Sequence, residues 1–74
     1  MPKKLREILA TNLKSFRIRE KLSQDEFAYK CGVHRTYIGS IERGERNVTL
    51  ATLELLAEAM NIDVVTLLRE GGVK

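Results

Sequence analysis

At 74 residues the chain has room for one domain, and a chain of this size buries only about 60 to 65% of its unfolded surface, so marginal stability is expected. Hydrophobic residues at 43% and charged residues at 31% exclude the apolar-poor composition of a disordered chain, and no apolar stretch approaches the ~18 residues of a membrane span. A single cysteine, Cys31, excludes an internal disulfide and a multi-cysteine zinc site; the N-terminus is too polar for a signal-peptide core, so a cytoplasmic chain of net charge +3 is expected.

In chain order, Leu5, Ile8, Leu9, Leu13 and Phe16 recur at three- and four-residue steps and predict a helix from about Lys3 to Glu20. Pro2 suits its first turn, where a missing N–H costs nothing. Ser23 with Glu26 three residues later, and Leu22 poised to pack on Phe27, mark the start of a second helix of about eight residues. Phe27, Ala28 and Cys31 form its buried stripe and Gly32 ends it. After Gly32-Val33-His34 a third helix runs from Arg35 to Arg43, with Ile38 and Ile41 inward and Gly44 as its stop.

Thr49 caps a fourth helix, in which Leu50, Leu53, Leu56, Ala57 and Met60 repeat at helical spacing and Asn61 suits the left-handed position at the end. Asp63 caps a short fifth helix from Val64 to about Arg69, followed by a Gly71-Gly72 tail. No stretch alternates with a period of two, so no sheet is expected, and no repeat or linker divides the chain.

The positive charge is unevenly placed. Residues 1 to 46 hold eleven of the thirteen Lys and Arg against six acids; residues 47 to 74 hold two bases against four acids. A basic segment joined to a mildly acidic one suits a polyanion-binding face on one side and self-association on the other. Catalysis has little to build on. There is no phosphate loop, HExxH or CxxC; Cys31 shares a buried face with Phe27, and His34 sits at an N-cap position facing elsewhere. No catalytic residue, metal site or cofactor is expected.

Two helices joined by a tight Gly-containing turn, the second presenting polar and basic groups at its N-terminus, form a helix-turn-helix at about 23–43. An α-helix fits the major groove of B-DNA, and long donors in its first turn can approach base edges. Arg35, Thr36 and Tyr37 occupy that turn, Ser40 lies one turn on at the angular position of Thr36, and Gly39 adds no bulk between them. The run Leu22-Ser23-Gln24-Asp25-Glu26-Phe27-Ala28, with Arg35-Thr36-Tyr37-Ile38-Gly39-Ser40-Ile41-Glu42-Arg43-Gly44, resembles the Cro/C1-type (lambda-repressor-like, XRE) helix-turn-helix family over roughly residues 9 to 69. Within that family, His34 to Ile38 followed by Glu42-Arg43-Gly44-Glu45-Arg46-Asn47 is similar to the small controller proteins of restriction-modification systems.

The resemblance implies an all-α, five-helix lambda-repressor-like domain spanning 1–74 that binds an operator in double-stranded DNA. Carried over by position, it implies that Arg35 reads base edges, with Thr36 and Ser40 making shorter base or thymine-methyl contacts. Gln24, His34, Tyr37, Arg43, Arg46 and Asn47 would hold the backbone, with a base or the minor groove as the alternative target of Arg46. Tyr37 packing on the second helix and Arg43 balancing the third helix's dipole are the plainer alternatives. Arg17 sits on the inward side of the first helix, where an unpaired charge is costly, and the family pairs such an arginine with a glutamate matched here by Glu42.

Between positions 50 and 68, Leu50, Leu53, Leu55, Leu56, Met60, Ile62, Val64, Val65, Leu67 and Leu68 are more apolar residues than one face can hide. A homodimer formed through about 53–70, with Ile62, Val65 and Leu68 at the interface and Val64 and Leu67 inward, would bury the surplus. Two recognition helices would then stand about 34 Å apart on a pseudo-palindrome. The expected partners are operator DNA and a second copy, with RNA polymerase as a candidate further partner, no membrane and no small-molecule effector. Two alternatives remain at this point: an antitoxin-type regulator of the same fold, and a helical protein-interaction module that binds no DNA.

Overall fold

Apolar residues at helical spacing give α1 (Lys3–Arg19) a stripe of Leu9, Leu13 and Phe16, and α2 (Gln24–Cys31), packed mainly on the third and fourth helices, adds Phe27, Ala28 and Cys31 to the same core. The Phe16 and Phe27 rings meet at 5.7 Å between centroids, tilted by 48°, an arrangement that aromatic quadrupoles favour. α3 (Arg35–Glu42) adds Ile38 and Ile41, α4 (Leu50–Met60) adds Leu53, Leu56, Ala57 and Met60, and α5 (Val64–Leu67) adds Leu67. This computed structural model describes residues 3–73, and among them no residue is in a strand. The fold is the all-α, five-helix arrangement expected; the placement of Pro2 lies outside the described residues.

The helix ends follow from local chemistry. α1 stops at Arg19, where Lys21 adopts the left-handed conformation (φ 58°) and the amides of Lys21 and Leu22 turn back to the carbonyls of Ile18 and Arg17, each at 3.0 Å. α2 opens on a capping box: Ser23 Oγ accepts from the Glu26 amide at 3.0 Å, and the Ser23 amide donates to Glu26 Oε1 at 2.8 Å. Gly32 closes the helix at φ 75°, a conformation that only a residue without a β-carbon adopts cheaply. Thr49 and Asp63 cap α4 and α5 through the amides of Thr52 and Thr66 at 3.1 and 2.7 Å, and Asn61 takes the left-handed position between them.

Three details depart from the sequence expectation. α3 ends at Glu42, with Arg43 as its cap. Leu50 is 77% exposed: it is the first residue of α4, and in that turn the core takes Leu53 instead. α5 ends at Leu67 and not near Arg69, because a buried side chain of α1, Asn12, takes the carbonyls of Leu67 and Arg69 and the chain folds back. The Gly71-Gly72 tail is therefore ordered, and Val73 beyond it belongs to the core.

Candidate nucleic-acid interface

α3 is fixed from three sides before any of its outer residues is considered. Ile38 and Ile41 pin its inner face in the core. At its C-terminal end Glu42, 5% exposed, accepts from Arg17 Nε at 2.6 Å and from the same guanidinium again at 3.0 Å. Arg17 also donates to the Leu22 carbonyl at 3.0 Å, so one side chain ties α1, the α1–α2 link and α3 together. This fork-to-fork contact, and the charge of Glu42, hold the Arg17 guanidinium still more firmly protonated than usual against the opposing effect of burial. The second Glu42 oxygen also accepts from Gln24 Nε2 at 3.1 Å, which adds α2. Gly39 lets that side chain and Arg43 lie across the helix: a β-carbon there would stand 3.3 Å from Arg43 Nη1 and 3.4 Å from Gln24 Oε1.

The open end of α3 faces solvent. Its cap is His34, whose Nδ1 accepts from the Thr36 amide at 3.1 Å. Arg35 and Thr36 are exposed, and the nearest acid to Arg35 is Asp25, 3.6 Å away and equally open to water, a contact too solvated to hold it. Past the helix, Arg43 Nε donates to Glu45 Oε1 at 3.1 Å on the surface. Arg46 lies over the Tyr37 ring, 4.7 Å from its centroid, with Nε donating to Ser40 Oγ at 3.3 Å. Asn47 is exposed beside it.

The sequence placed Ser40 next to Thr36 on the outer face. Its angular position is as expected, but the residue is 7% exposed, and its hydroxyl donates to the Tyr37 carbonyl at 2.8 Å while accepting from Arg46. Ser40 is thus a ledge under Arg46 instead of a free hydroxyl, because the chain after Gly44 doubles back over it with the Glu45 amide on the Ser40 carbonyl at 3.1 Å. Tyr37 is half-buried against the core as well as carrying Arg46. Arg35, Thr36, Gln24, His34, Arg43, Arg46 and Asn47 lie on or beside the exposed end of the helix pair; Arg17 and Glu42 lie beneath it.

On the opposite chemistry, burial pushes the Cys31 thiol up to about 11, so it is protonated at neutral pH, and the His34 ring is engaged as a cap. Among the described residues no three of His, Cys, Asp and Glu group as metal ligands, and no helix is long and apolar enough to cross a membrane. Of the residues expected at a dimer face, Val65 is 73% exposed, Ile62 and Leu68 are half-buried against the core, and Leu55 of α4 is also exposed. Leu67 is wholly buried and Val64 half-buried. Sequence reasoning missed Asn12, although it falls within the Leu9, Leu13 and Phe16 stripe, where a polar residue needs buried partners.

A family model described as helix-turn-helix matches residues 13–67. The chain belongs to this helix-turn-helix family. It is similar to control protein C.SmaI of Serratia marcescens, at 54% identity over 70 residues, covering 95% of this chain and 83% of that one. Among solved structures it resembles the restriction-modification controller protein C.AhdI from Aeromonas hydrophila, with a TM-score of 0.77 and 35% identity over 84% of this chain and 94% of that one. It also resembles the restriction-modification controller protein C.Esp1396I, solved as a tetramer in complex with its natural 35 base-pair operator: TM-score 0.75 and 33% identity, over 85% of this chain and 83% of that one. In this helix-turn-helix chain the matched segment contains both α2 and α3 with the turn between them.

Proposed function

We propose that this protein is a sequence-specific duplex-DNA-binding transcription regulator, acting in the cytoplasm as a homodimer on a pseudo-palindromic operator, and that it is the controller protein of a restriction-modification system. The observation that carries this reading is the exposed first turn of α3, with Arg35 and Thr36 open to solvent on a helix braced by the Arg17–Glu42 pair. The similarity to control protein C.SmaI favours a controller over an antitoxin. No step of this activity calls on catalysis or a cofactor.

In this reading Arg35 donates in bidentate fashion to guanine O6 and N7, and Thr36 meets an adjacent base. Gln24, His34, Arg43, Arg46 and Asn47 hold phosphates to either side, Tyr37 and Ser40 orient Arg46, and the region 53–70 carries the dimer contact through Val65 with Ile62 and Leu68. RNA polymerase is the candidate further partner where the operator adjoins a promoter. Selection of binding sites from random duplex, with wild type beside Arg35→Ala, tests the reading. The wild type is expected to yield a two-fold-related motif. Arg35→Ala is expected to lose preference at one position per half-site while keeping salt-sensitive binding. A wild type that enriches no motif would contradict it.

A further inference from the structure

α5 has four residues, far below the length at which a helix sustains itself in water. Burial of Leu67 anchors one side of it. The other anchor is Asn12, 1% exposed in the middle of α1, whose Nδ2 donates to the Leu67 carbonyl at 2.7 Å and to the Arg69 carbonyl at 2.9 Å. Its Oδ1 accepts from the Val73 amide at 3.4 Å. One carboxamide thus takes up the Leu67 carbonyl that the end of α5 leaves orphaned, shares the Arg69 carbonyl with the Gly72 amide, and clips the returning chain. Between these points the Gly72 amide donates to the Arg69 carbonyl at 2.9 Å, and a β-carbon at Gly72 would collide with the Thr66 carbonyl oxygen. The hook therefore closes only with glycine there, and it seats Val73 in the core.

We propose that Asn12 is the positioning residue of the dimer face: through the Leu67 and Arg69 carbonyls and the Val73 hook it sets the orientation of α5, from which Val65 projects. The assignment rests on the reading that α5 carries dimerisation. An apolar residue at 12 would leave the Leu67 carbonyl and the Val73 amide buried without their partner, the Arg69 carbonyl keeping only the Gly72 amide, and a carboxylate would set an oxygen against two carbonyl oxygens. Either change loosens α5 without touching α2 or α3, because no hydrogen bond of Asn12 reaches them.

Asn12→Asp and Gly72→Ala, made separately in the full chain, test this by sedimentation equilibrium over a dilution series and by backbone amide hydrogen exchange. Each is expected to raise the dimer dissociation constant by about tenfold or more. Each should also lose exchange protection at Leu67 and Leu68 while keeping it at Ile41. Gly72→Ala decides alone should Asn12→Asp not fold, since it opens the hook without altering α1. A wild-type dissociation constant in folded Asn12→Asp or in Gly72→Ala overturns the assignment. So does equal loss of protection at Ile41 in Gly72→Ala, which would make the clasp a prop of the whole fold. A wild-type chain that stays monomeric throughout refutes the dimer reading itself, and the assignment with it.

Discussion

Helices α1 to α3 and the turn after them meet solvent through Arg35, Thr36 and Arg46 on a frame braced by a bidentate ion pair, whereas α5 meets it through Val65 on a frame held by buried Leu67 and the single amide of Asn12. The contrast shows what each surface demands. Base reading needs long donors held in one geometry, which a fork-to-fork pair beneath the helix supplies. Self-association in the proposed dimer would draw on apolar area presented by an element too short to place itself.

The comparison breaks most sharply at Arg17. Arg17→Ala leaves the Glu42 carboxylate buried without its cation, and unfolding in urea is expected to show a loss of about 3 kcal/mol. A loss below about 1 kcal/mol would mean that the pair does not brace the recognition half. Next in size, Arg35→Ala should cost about 1 to 3 kcal/mol of binding to the selected site, measured against a scrambled duplex, with thermal stability within about 0.5 kcal/mol of wild type. A stability loss larger than the binding loss would move Arg35 from reader to scaffold.

On the other half, Val65→Glu places a charge where two apolar faces would meet. The dimer is expected to weaken by about tenfold or more while the folded monomer is unchanged, since Val65 is exposed in the monomer. Equal dimer strength in sedimentation would place the interface elsewhere. The smallest effect lies in acid. Hydrogen bonds from Ser23 hold the Glu26 carboxyl below its ordinary range, and those from Thr66 do the same for Asp63. Their folded values lie below the unfolded ones, so both caps contribute fully above about pH 4 to 5 and are lost as the pH falls through the folded values. Glu26→Gln should flatten the acid limb of a stability–pH profile by lowering the neutral plateau slightly while leaving the most acidic values nearly unchanged; an unaltered acid limb would show that the carboxylate adds nothing.

How much of this was legible in the sequence depended on the reach of each signal. Ser23 with Glu26, Thr49, Asn61 and Asp63 act within four residues of themselves, so pattern alone locates the helix ends they govern. Arg17 was readable as an inward charge that needs a partner, and the family resemblance supplied Glu42. The angle of Ser40 is legible but its burial is not, because periodicity gives an angle around a helix and not what folds back over it; the turn after Gly44 covers that position. The extent of α5 and the seating of Val73 were hidden because their cause, Asn12, lies 55 to 61 residues away along the chain. Long-range hydrogen bonds from one buried amide leave no local periodic mark.

The central claim is that two copies of α3 enter duplex DNA from one side, one helical turn apart. Hydroxyl-radical footprinting of the wild-type protein on its selected site measures this directly. Two protected segments on one face, centred about 10 base pairs apart, are predicted. A single protected segment, or protections on opposite faces of the duplex, would contradict the account.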